Sequence, residues 1–571
     1  MNQNGVWNLE PLYPGLNSPE FQADLKKLEE QVAALNPEAP WEEFWEKRNE
    51  LEELARRLTY YPQLLAAADA ENEEALRYAE KIELILAGLA PLDAAFQQRL
   101  NRDGLPPHTP EQDFFLKEQA ALGAHTLSPA EEALAAKLSA TGAGAWSKLR
   151  QRLTSTLSIS LNGETHPLPT IRAMAYSEDA ALRKAAYEAE LAAYPAIAPS
   201  VAAALNGIKG EAITLAEARG YQSPLEQVLL FSRLERPVLT AMLSACFESL
   251  PDFRRYFRAK ARLLKAGDAL PFADLFAPVG SFTDTFTYPQ AQEFILKQFG
   301  AFSPRLADYA RMAFDNDWID VYPRPGKEGG AFCENLHCIG ESRILANFTG
   351  SFNDVLTLAH ELGHGYHGDC LNSAAPLNSD YPMPIAETAS TFCETLVKQA
   401  ALKTASPAEA LTIREADISD SAQVIVDILS RYLFEDRVFA ARQEGPLSPE
   451  ALCDIMLQAQ KDTYGDGLAT YHPYMWVCKV HYYDPTYHYY NFPYAFGLLF
   501  AKGLYRIYRE TPAGFPERYA ALLAASGHAS LADLGKRMGF ALDEPAFWQG
   551  AFAELKAEID AFVDEVDRLT R

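Results

Sequence analysis

The pattern His-Glu-x-x-His at residues 360–364 is the part of this sequence best suited to chemistry. On a helix, His360 and His364 differ by about 40° around the axis and lie about 6 Å apart along it, so both rings can reach one metal ion. Zinc binds neutral imidazole nitrogens at about 2.0 to 2.1 Å in a small tetrahedral shell, which suits this spacing. Glu361 can reach a water molecule on the metal and act as a general base. The motif therefore predicts a hydrolytic zinc site, and the alternative is a chance match with two core histidines.

The flanking residues predict the helix that this spacing requires. Ser351 and Asp354 have the form of a capping box, and Asp354 suits the positive end of the helix dipole. Val355, Leu358 and Leu362 fall on the side opposite the histidines at 100° per residue. One face of the helix is expected to pack and the other to hold the metal.

A catalytic zinc ion usually has three protein ligands and one open position, so a further His, Asp or Glu is needed. His367 lies on the same face, but Gly365 and Gly368 flank it and could already end the helix. A third histidine six residues after His364 is excluded, because that position is Cys370.

Glu387 is the best candidate for the third ligand. Pro384 predicts the start of a second helix, on which Glu387 and Glu394 share the side opposite Ile385 and Phe392. A pair of carboxylates like this often marks a solvated face. Here a connector of about 15 to 20 residues could fold the second helix back onto the first, which favours the ligand interpretation. Glu394 is then a candidate hydrogen-bond partner for a ligand histidine.

The composition excludes several classes of partner. With 571 residues, a formal net charge of -26 and a pI near 4.9, the chain is unsuited to nucleic acid or anionic lipid. We find no secretory signal and no apolar stretch that could span a membrane, so we expect neither secretion nor membrane insertion. The odd, scattered set of seven cysteines fits reduced thiols in the cytoplasm. Cys333, His337 and Cys338 are close enough to raise the alternative of a second metal site.

Hydrophobic periodicity predicts a mainly helical protein of two lobes. We expect a helical N-terminal lobe over residues 1–195 and a catalytic zinc domain over residues 196–571. Helices are predicted from Phe21 to Arg99, with a break at residues 101–110. Alternating residues around Asn162-Gly163 predict a small hairpin near residues 157–168. The segment from Gly267 to Pro289 is expected to be an irregular crossing between the lobes.

A glycine-rich loop and a short strand precede the zinc helix. Gly329 and Gly330 would let a substrate backbone approach closely, and a plain turn is the alternative. Arg343–Phe348 is predicted to be a strand that could pair with an extended peptide through Ala346 and Asn347. An ordinary paired strand is an equal alternative.

These motifs together resemble the oligoendopeptidase F and thimet oligopeptidase family of zinc endopeptidases, most closely the oligoendopeptidase F branch. The resemblance rests on His360-Glu361-Leu-Gly-His364 and on Glu387 in an Ala-Glu-Thr-Ala-Ser setting. It extends to the segments that begin at Trp7, Gly326 and Asn491. The family implies a two-lobed helical body with a deep channel that admits short unfolded peptides.

The resemblance also directs attention to the tyrosine-rich segment 481–490. The family has a histidine followed by tyrosines spaced four and three apart in its active site, and Tyr483, Tyr487 and Tyr490 reproduce that spacing. His481 stands closer to the first tyrosine than in the thimet branch. Tyr490 is the first candidate for stabilising the oxyanion and His481 the second, and an aromatic core is the alternative.

We therefore predict an endopeptidase that cleaves internal bonds of short oligopeptides and uses one Zn²⁺ per chain. A zinc carboxypeptidase and a catalytically silent peptide-binding protein are the alternatives. No sequence feature specifies an oligomeric state.

Overall fold

The computed structural model describes residues 5–280 and 285–570, most of which are helical. In chain order the α-helices are α1 (Pro19–Ala34), α2 (Trp41–Ala68), α3 (Glu73–Leu86), α4 (Leu89–Asp103), α5 (Pro110–Gly123), α6 (Pro129–Thr141), α7 (Ala143–Ser155), α8 (Leu168–Ala173), α9 (Ala180–Ala193), α10 (Ala198–Ala218), α11 (Pro224–Phe231), α12 (Arg236–Leu263), α13 (Tyr288–Phe302), α14 (Pro304–Asp315), α15 (Phe352–Leu371), α16 (Met383–Leu402), α17 (Pro407–Ala422), α18 (Ile428–Glu444), α19 (Pro449–Tyr464), α20 (Met475–Cys478), α21 (Phe492–Glu510), α22 (Phe515–Ala525), α23 (Leu531–Met538) and α24 (Pro545–Leu569). The strands are β1 (Ser158–Leu161), β2 (Glu164–Pro167), β3 (Ile319–Asp320), β4 (Phe332–Leu336) and β5 (Glu341–Leu345). The prediction of a mainly helical fold with a small β element beside the helix that carries His360 and His364 is confirmed.

The chain forms two compact units, each built from three segments. Unit 1 contains Met1–Pro129, Phe282–Thr404 and Ile507–Phe540. Unit 2 contains Ala130–Ser281, Ala405–Arg506 and Ala541–Arg571. The predicted boundary between residues 195 and 196 lies inside unit 2, and residues 1–4 and 571 of the two predicted domains lie outside the described residues. The division at 195/196 stays a prediction.

The core of unit 1 is formed by the N-terminal helices and two strands. Aromatic rings from α2 and α4 stack inside it, with the Phe44 and Phe96 centroids 4.3 Å apart. Leu336 of β4 and Leu345 of β5 are fully buried in the same cluster. Residues 104–109 separate α4 from α5, so the break lies inside the predicted segment 101–110 and is shorter than predicted.

The sheet of unit 1 has the strand order β3-β5-β4. β5 pairs in parallel with β3 and antiparallel with β4, so it is the central strand and β4 is an edge. In the β4–β5 register, Glu334 lies opposite Arg343 and Asn335 opposite Ser342. The small sheet leads directly into α15.

Unit 2 has its own core, in which α10, α18 and α19 contribute buried residues such as Leu205, Phe434 and Met456. The predicted hairpin is β1 and β2, which pair antiparallel around Asn162 and Gly163. Both turn residues have positive φ, 54° and 86°, as a type I′ turn requires. Residues 264–287 separate α12 from α13, so the irregular segment predicted at 267–289 extends two residues into α13. Its residues 281–284 lie outside the described part.

Within the described ranges, no single helix is long and apolar enough to cross a membrane. One bent pair, Ala180–Ala196 with Ala198–Ala218, meets the length and composition requirements together.

Candidate metal centre and active site

The helix that carries the two histidines starts at a well-formed cap. The Ser351 hydroxyl accepts a hydrogen bond from the Asp354 N–H at 3.1 Å, and Oδ2 of Asp354 accepts one from the Ser351 N–H at 3.1 Å. The same oxygen accepts bonds from the N–H of Thr349 at 2.8 Å and of Gly350 at 2.9 Å. Burial opposes ionisation of Asp354, but these donors outweigh it and lower the pKa of the carboxyl. The predicted capping box therefore fixes where α15 begins.

Two glycines let other elements come close to α15. A Cβ on Gly363 would lie 2.6 Å from the Ala389 carbonyl oxygen and 2.6 Å from the Ser390 Cα, both in the backbone of α16. A Cβ on Gly365 would collide with the Tyr309 hydroxyl. Only glycine, which has no Cβ, fits at these two positions. Because Gly363 faces α16, the side chains of α16 lie close enough to contact the histidines.

His360, His364 and Glu387 form the metal-capable cluster found among the described residues. Their nearest ligand atoms all lie within 4.8 Å of one another. Oε2 of Glu387 is 3.2 Å from Nε2 of His360 and 3.6 Å from Nε2 of His364. Two tetrahedral ligands at about 2.0 to 2.1 Å from one ion are about 3.3 to 3.4 Å apart, so the donor set and its spacing fit zinc.

The cluster is organised around one positive charge. Burial favours neutral imidazole, but the hydrogen bonds to Glu387 and Glu394 raise the pKa of His360 to about 10. Burial and the charge of His360 lower the pKa of His364 to about 4. Burial would raise the pKa of Glu387, yet its contacts with the two histidines lower it to about 2. Two carboxylates thus surround one imidazole, an arrangement that favours a cation.

Glu394 orients the first histidine. The Nδ1–H of His360 donates to Oε2 of Glu394 over 3.2 Å, so Nε2 faces Glu387 and could give its lone pair to a metal ion once its own proton has left. Lys398 pairs with the other oxygen of Glu394 at 2.6 Å. Although burial opposes it, the charges of Lys398 and His360 lower the pKa of Glu394 to about 2. Glu394 is therefore an ionised acceptor.

Glu361 lies beside the cluster without belonging to it. Only 6% of its surface is exposed, and the charges of His360 and Glu387 both act on it. Burial raises the pKa of Glu361 to about 7, with the negative charge of Glu387 adding to the effect and His360 opposing it. A carboxyl with this pKa can take up and release a proton near neutral pH.

The competing metal ligands do not join the cluster. α15 continues through Gly365 and Gly368 to Leu371, and His367 is fully buried in it. The His367 ring stacks on Tyr381 at 3.9 Å, and its Nε2 is hydrogen-bonded to Ser526 Oγ at 2.8 Å. No second metal-capable group occurs in residues 5–280 and 285–570, so Cys333, His337 and Cys338 form none.

The loop before β4 is anchored by a buried lysine. Nζ of Lys327 donates to the carbonyl oxygens of Tyr322 and Ala346 and pairs with Asp320 at 2.7 Å. The Asn347 side chain donates to the Glu328 and Gly330 carbonyl oxygens at 3.0 and 2.8 Å. These bonds hold the loop that contains Gly329 and Gly330 against the end of β5.

The hypothesis that Arg343–Phe348 adds a peptide strand needs correction. β3 and β4 occupy both edges of β5, and the N–H of Ala346 donates to the Asp320 carbonyl. The edge strands of the sheet are β3, of two residues, and β4, of five. Substrate contacts by Gly329, Gly330, Ala346 and Asn347 stay predictions.

The tyrosine-rich segment lies in unit 2, whereas the metal cluster lies in unit 1. Tyr483 is 1% exposed and its hydroxyl donates to the Trp476 carbonyl at 2.8 Å, which is a structural contact and does not agree with the predicted catalytic role of Tyr483. Tyr490 packs against His481 at 4.8 Å and Tyr487 at 5.6 Å between ring centroids.

His481, Tyr487 and Tyr490 stay candidates for contacting substrate. Burial lowers the pKa of His481 to about 4, so its ring is neutral at pH 7. Tyr487 shares a hydrogen bond of 3.1 Å with Ser232. Tyr489, next to Tyr490, has a left-handed φ of 51°, which is uncommon for a residue other than glycine and is often found near functional sites.

Sequence reasoning missed three supporting residues. Ser390 donates to Oε2 of Glu387 at 2.9 Å, and Lys398 holds Glu394. Both lie three or four residues along α16 from the group they contact, so helical spacing could have found them. Asn335 donates to the His364 carbonyl at 3.2 Å from β4, and no sequence signal indicates that contact.

The fold and donor set define a mainly helical protein with a His-Glu-x-x-His motif in a cluster that could hold a metal ion. A family model described as peptidase family M3 matches residues 173–554, and one described as oligopeptidase F matches residues 93–158. Because the first match covers more than half of the sequence, the chain belongs to peptidase family M3.

Several known proteins are similar to this chain in sequence or structure. The chain is 25% identical to oligopeptidase PepF of Bacillus subtilis over 390 residues, which is 67% of this chain and 58% of that protein. The match thus spans less than two thirds of this relative. A crystal structure from Chlamydophila abortus has a TM-score of 0.84 at 22% identity and covers 99% of both chains. Oligoendopeptidase F from Enterococcus faecium has a TM-score of 0.70 at 18% identity, covering 96% of this chain and 99% of that one. At these identities the two structures establish the fold alone.

Proposed function

We propose that this protein is a zinc-dependent endopeptidase that hydrolyses internal bonds of short oligopeptides. The observation that carries the proposal is the grouping of His360, His364 and Glu387 with the buried carboxyl of Glu361 beside them. The matched family and the name of the Bacillus subtilis relative, oligopeptidase PepF, support peptides as substrates.

The three ligand residues would hold the zinc ion. Bound there, zinc would act as a Lewis acid on the scissile carbonyl and lower the pKa of water. His360 contributes Nε2 because Glu394 holds its Nδ1–H, and Ser390 restrains Glu387 from the other side.

Glu361 carries the proton. Its carboxylate accepts a proton from the attacking water and delivers it to the nitrogen of the leaving amine, so the group is regenerated in each cycle. Burial beside the three ligand residues supports this role, because it raises the pKa of the carboxyl in the metal-free protein and so favours proton uptake. General acid–base catalysis of this kind contributes about 10² to 10⁴ in rate.

The edge of β4 offers main-chain recognition. An extended peptide that pairs with an edge strand gains hydrogen bonds independent of its side chains, which suits an enzyme with many substrates. We propose that Gly329, Gly330, Ala346 and Asn347 border the bound peptide. Tyr490 and His481 are proposed as oxyanion donors, with Tyr487 beside them.

The partners are proposed to be short unfolded peptides, with no nucleic acid and no membrane. The formal charge of -26 repels phosphate backbones and anionic lipid. All seven cysteines are free thiols, which supports a reducing, cytoplasmic location.

The test is mass spectrometry of the products from a mixed peptide pool, with the zinc-loaded protein and with Glu361→Gln. We expect internal cleavage by the parent and a loss of about 10² to 10⁴ in kcat at unchanged zinc content in the variant. Peptides with a blocked C-terminus distinguish an endopeptidase from a carboxypeptidase, because a carboxypeptidase would not hydrolyse them. Zinc content with no turnover of any peptide would favour a silent peptide-binding protein and refute the proposal.

A further inference from the structure

A cavity of about 410 Å³ lies along the edge of β4 in unit 1. Its walls come from α2, from β4, from the end of α15 and from the segment just before α16. The residues that matter here are Arg56, Tyr60, Glu334, Asn335, Ser379 and Tyr381. Since one water molecule takes about 30 Å³ of liquid, the cavity has room for a long side chain.

The cavity adjoins the metal cluster through β4. Alternate side chains of a strand point to opposite faces, so Asn335 and Glu334 face different neighbours. Asn335 reaches α15 and donates to the His364 carbonyl at 3.2 Å. Glu334 faces α2, where the hydroxyl of Tyr60 and the charge of Arg56 act on it. Tyr381 lines the same cavity within 3.4 Å of Asn335, and the charge of Glu387 reaches it.

The cations around the cavity are already neutralised. Arg56 pairs with Glu52 at 2.8 Å and also donates to Ser379. Glu52 additionally pairs with Arg48 at 2.8 Å, and Arg48 contacts Asp93. These two arginines and two carboxylates form one ion-pair network, and Arg56 acts on Glu334 only through its charge, without an ion pair.

Glu334 lacks a cationic partner of its own. No ion pair of Glu334 is seen among the described residues, because Arg343, opposite it in β5, pairs with Glu341 at 2.8 Å. Asp380 adds a further carboxyl group to the lining. Burial raises the pKa of Glu334 to about 7, against the opposing effects of Tyr60 and Arg56. Burial also lowers the pKa of His337, which is neutral and therefore does not supply the missing charge.

We propose that this cavity is a substrate subsite that selects a basic side chain, lysine or arginine, with Glu334 as its counter-charge. The inference rests on the proposed peptidase function. In a peptide paired with β4, the residue opposite Glu334 places its side chain on the same face of the sheet, which is the face of the cavity. A cation there gives Glu334 the partner that the chain itself does not provide.

The experiment uses the full-length zinc-loaded protein and sets of three peptides. Within a set, the peptides differ only in one residue, which is lysine, acetyl-lysine or norleucine. Successive sets place this residue at successive positions of the peptide. At one position relative to the cut, we expect kcat/KM for lysine to exceed that for both neutral residues by about tenfold or more. Glu334→Gln should lose this preference and keep its activity on norleucine peptides. Glu50→Gln, which removes an exposed carboxylate of α2 outside the cavity, should keep the preference. A lysine preference that survives in Glu334→Gln, or its absence at every position in the parent, overturns the proposal.

Equilibrium binding of the same three peptides separates this proposal from the proposed function. If no peptide is cut, the peptidase proposal fails. Tighter binding of the lysine peptide that disappears in Glu334→Gln would still support the subsite. Equal binding of all three peptides would overturn it.

Discussion

Replacing Gly363 by alanine tests whether the approach of α16 to α15 sets the metal geometry. The new Cβ would lie 2.6 Å from the Ala389 carbonyl oxygen and from the Ser390 Cα. Because both are backbone atoms, α16 must retreat by about 0.8 Å to restore ordinary van der Waals contact. Overpacking of this kind costs about 1 to 3 kcal/mol, and the better helix propensity of alanine offsets about 1 kcal/mol of that. We expect the metal-free variant to lose about 0 to 2 kcal/mol of stability.

The larger effect should fall on the metal. Glu387 precedes Ala389 by two residues on α16 and moves with it, whereas metal–ligand distances tolerate only about 0.2 Å. We expect zinc affinity to fall by about 10- to 100-fold, which is about 1.4 to 2.8 kcal/mol. Competition with a chromogenic chelator measures the affinity, and thermal unfolding with and without EDTA measures the two stabilities.

Gly300→Ala is the matched control. Gly300 lies in α13 of the same unit, and its Cβ would make an ordinary contact of 3.7 Å with Ala307. This variant should be as stable as the parent or more stable by up to about 1 kcal/mol, with unchanged zinc affinity. If Gly363→Ala bound zinc as tightly as the parent and the control, the distance between the helices would not determine the site, and the reasoning would be refuted.

Three further predictions address the residues around the cluster. Glu394→Gln removes the carboxylate that holds the His360 Nδ1–H, so zinc affinity should fall by about 10- to 100-fold; unaltered affinity would show that Glu394 does not orient His360. The metal-free protein should also lose stability, because Lys398 and His360 lose their counter-charge. Asp354→Ala should lower the free energy of unfolding by about 1 kcal/mol through loss of the cap of α15. Because the folded-state pKa of Asp354 is lowered, this contribution is present above the unfolded pKa of about 3.9 and is lost as pH falls through the lower folded value. Thermal unfolding of parent and variant should therefore differ equally at pH 7 and pH 5 and converge below about pH 4, and a difference that grew on acidification would contradict the assignment. Tyr490→Phe should lower kcat by about 10² to 10³ with little change in KM or zinc content, and a matching loss of zinc would argue against an oxyanion role.

The metal cluster could be predicted because most of it is local. His360 and His364 are placed by the geometry of a single helix, and Glu387 and Glu394 share a face of the next one. Their side chains need only the packing of two neighbouring helices, which the short connector favours. The capping box at Ser351 was predictable for the same reason.

The sheet could not be predicted in the same way. The partner of β5 on one side is β3, a strand of only two residues, Ile319 and Asp320, which gives no periodic signal. The hydrogen bond of Tyr483 to Trp476 depends on how one chain segment turns back on itself, and aromatic spacing alone does not specify that direction. The division into two units, each built from three segments, likewise depends on contacts between distant parts of the sequence.

The segmented construction of unit 1 has a consequence for biosynthesis. α22 packs against α15, and the hydrogen bond between His367 and Ser526 joins residues 159 positions apart in the chain. At about 5 to 20 residues per second, a ribosome needs about 8 to 30 seconds to make that interval. During this time the nascent helix that bears both histidines lacks one of its packing partners, so its final burial is completed only when translation has nearly ended.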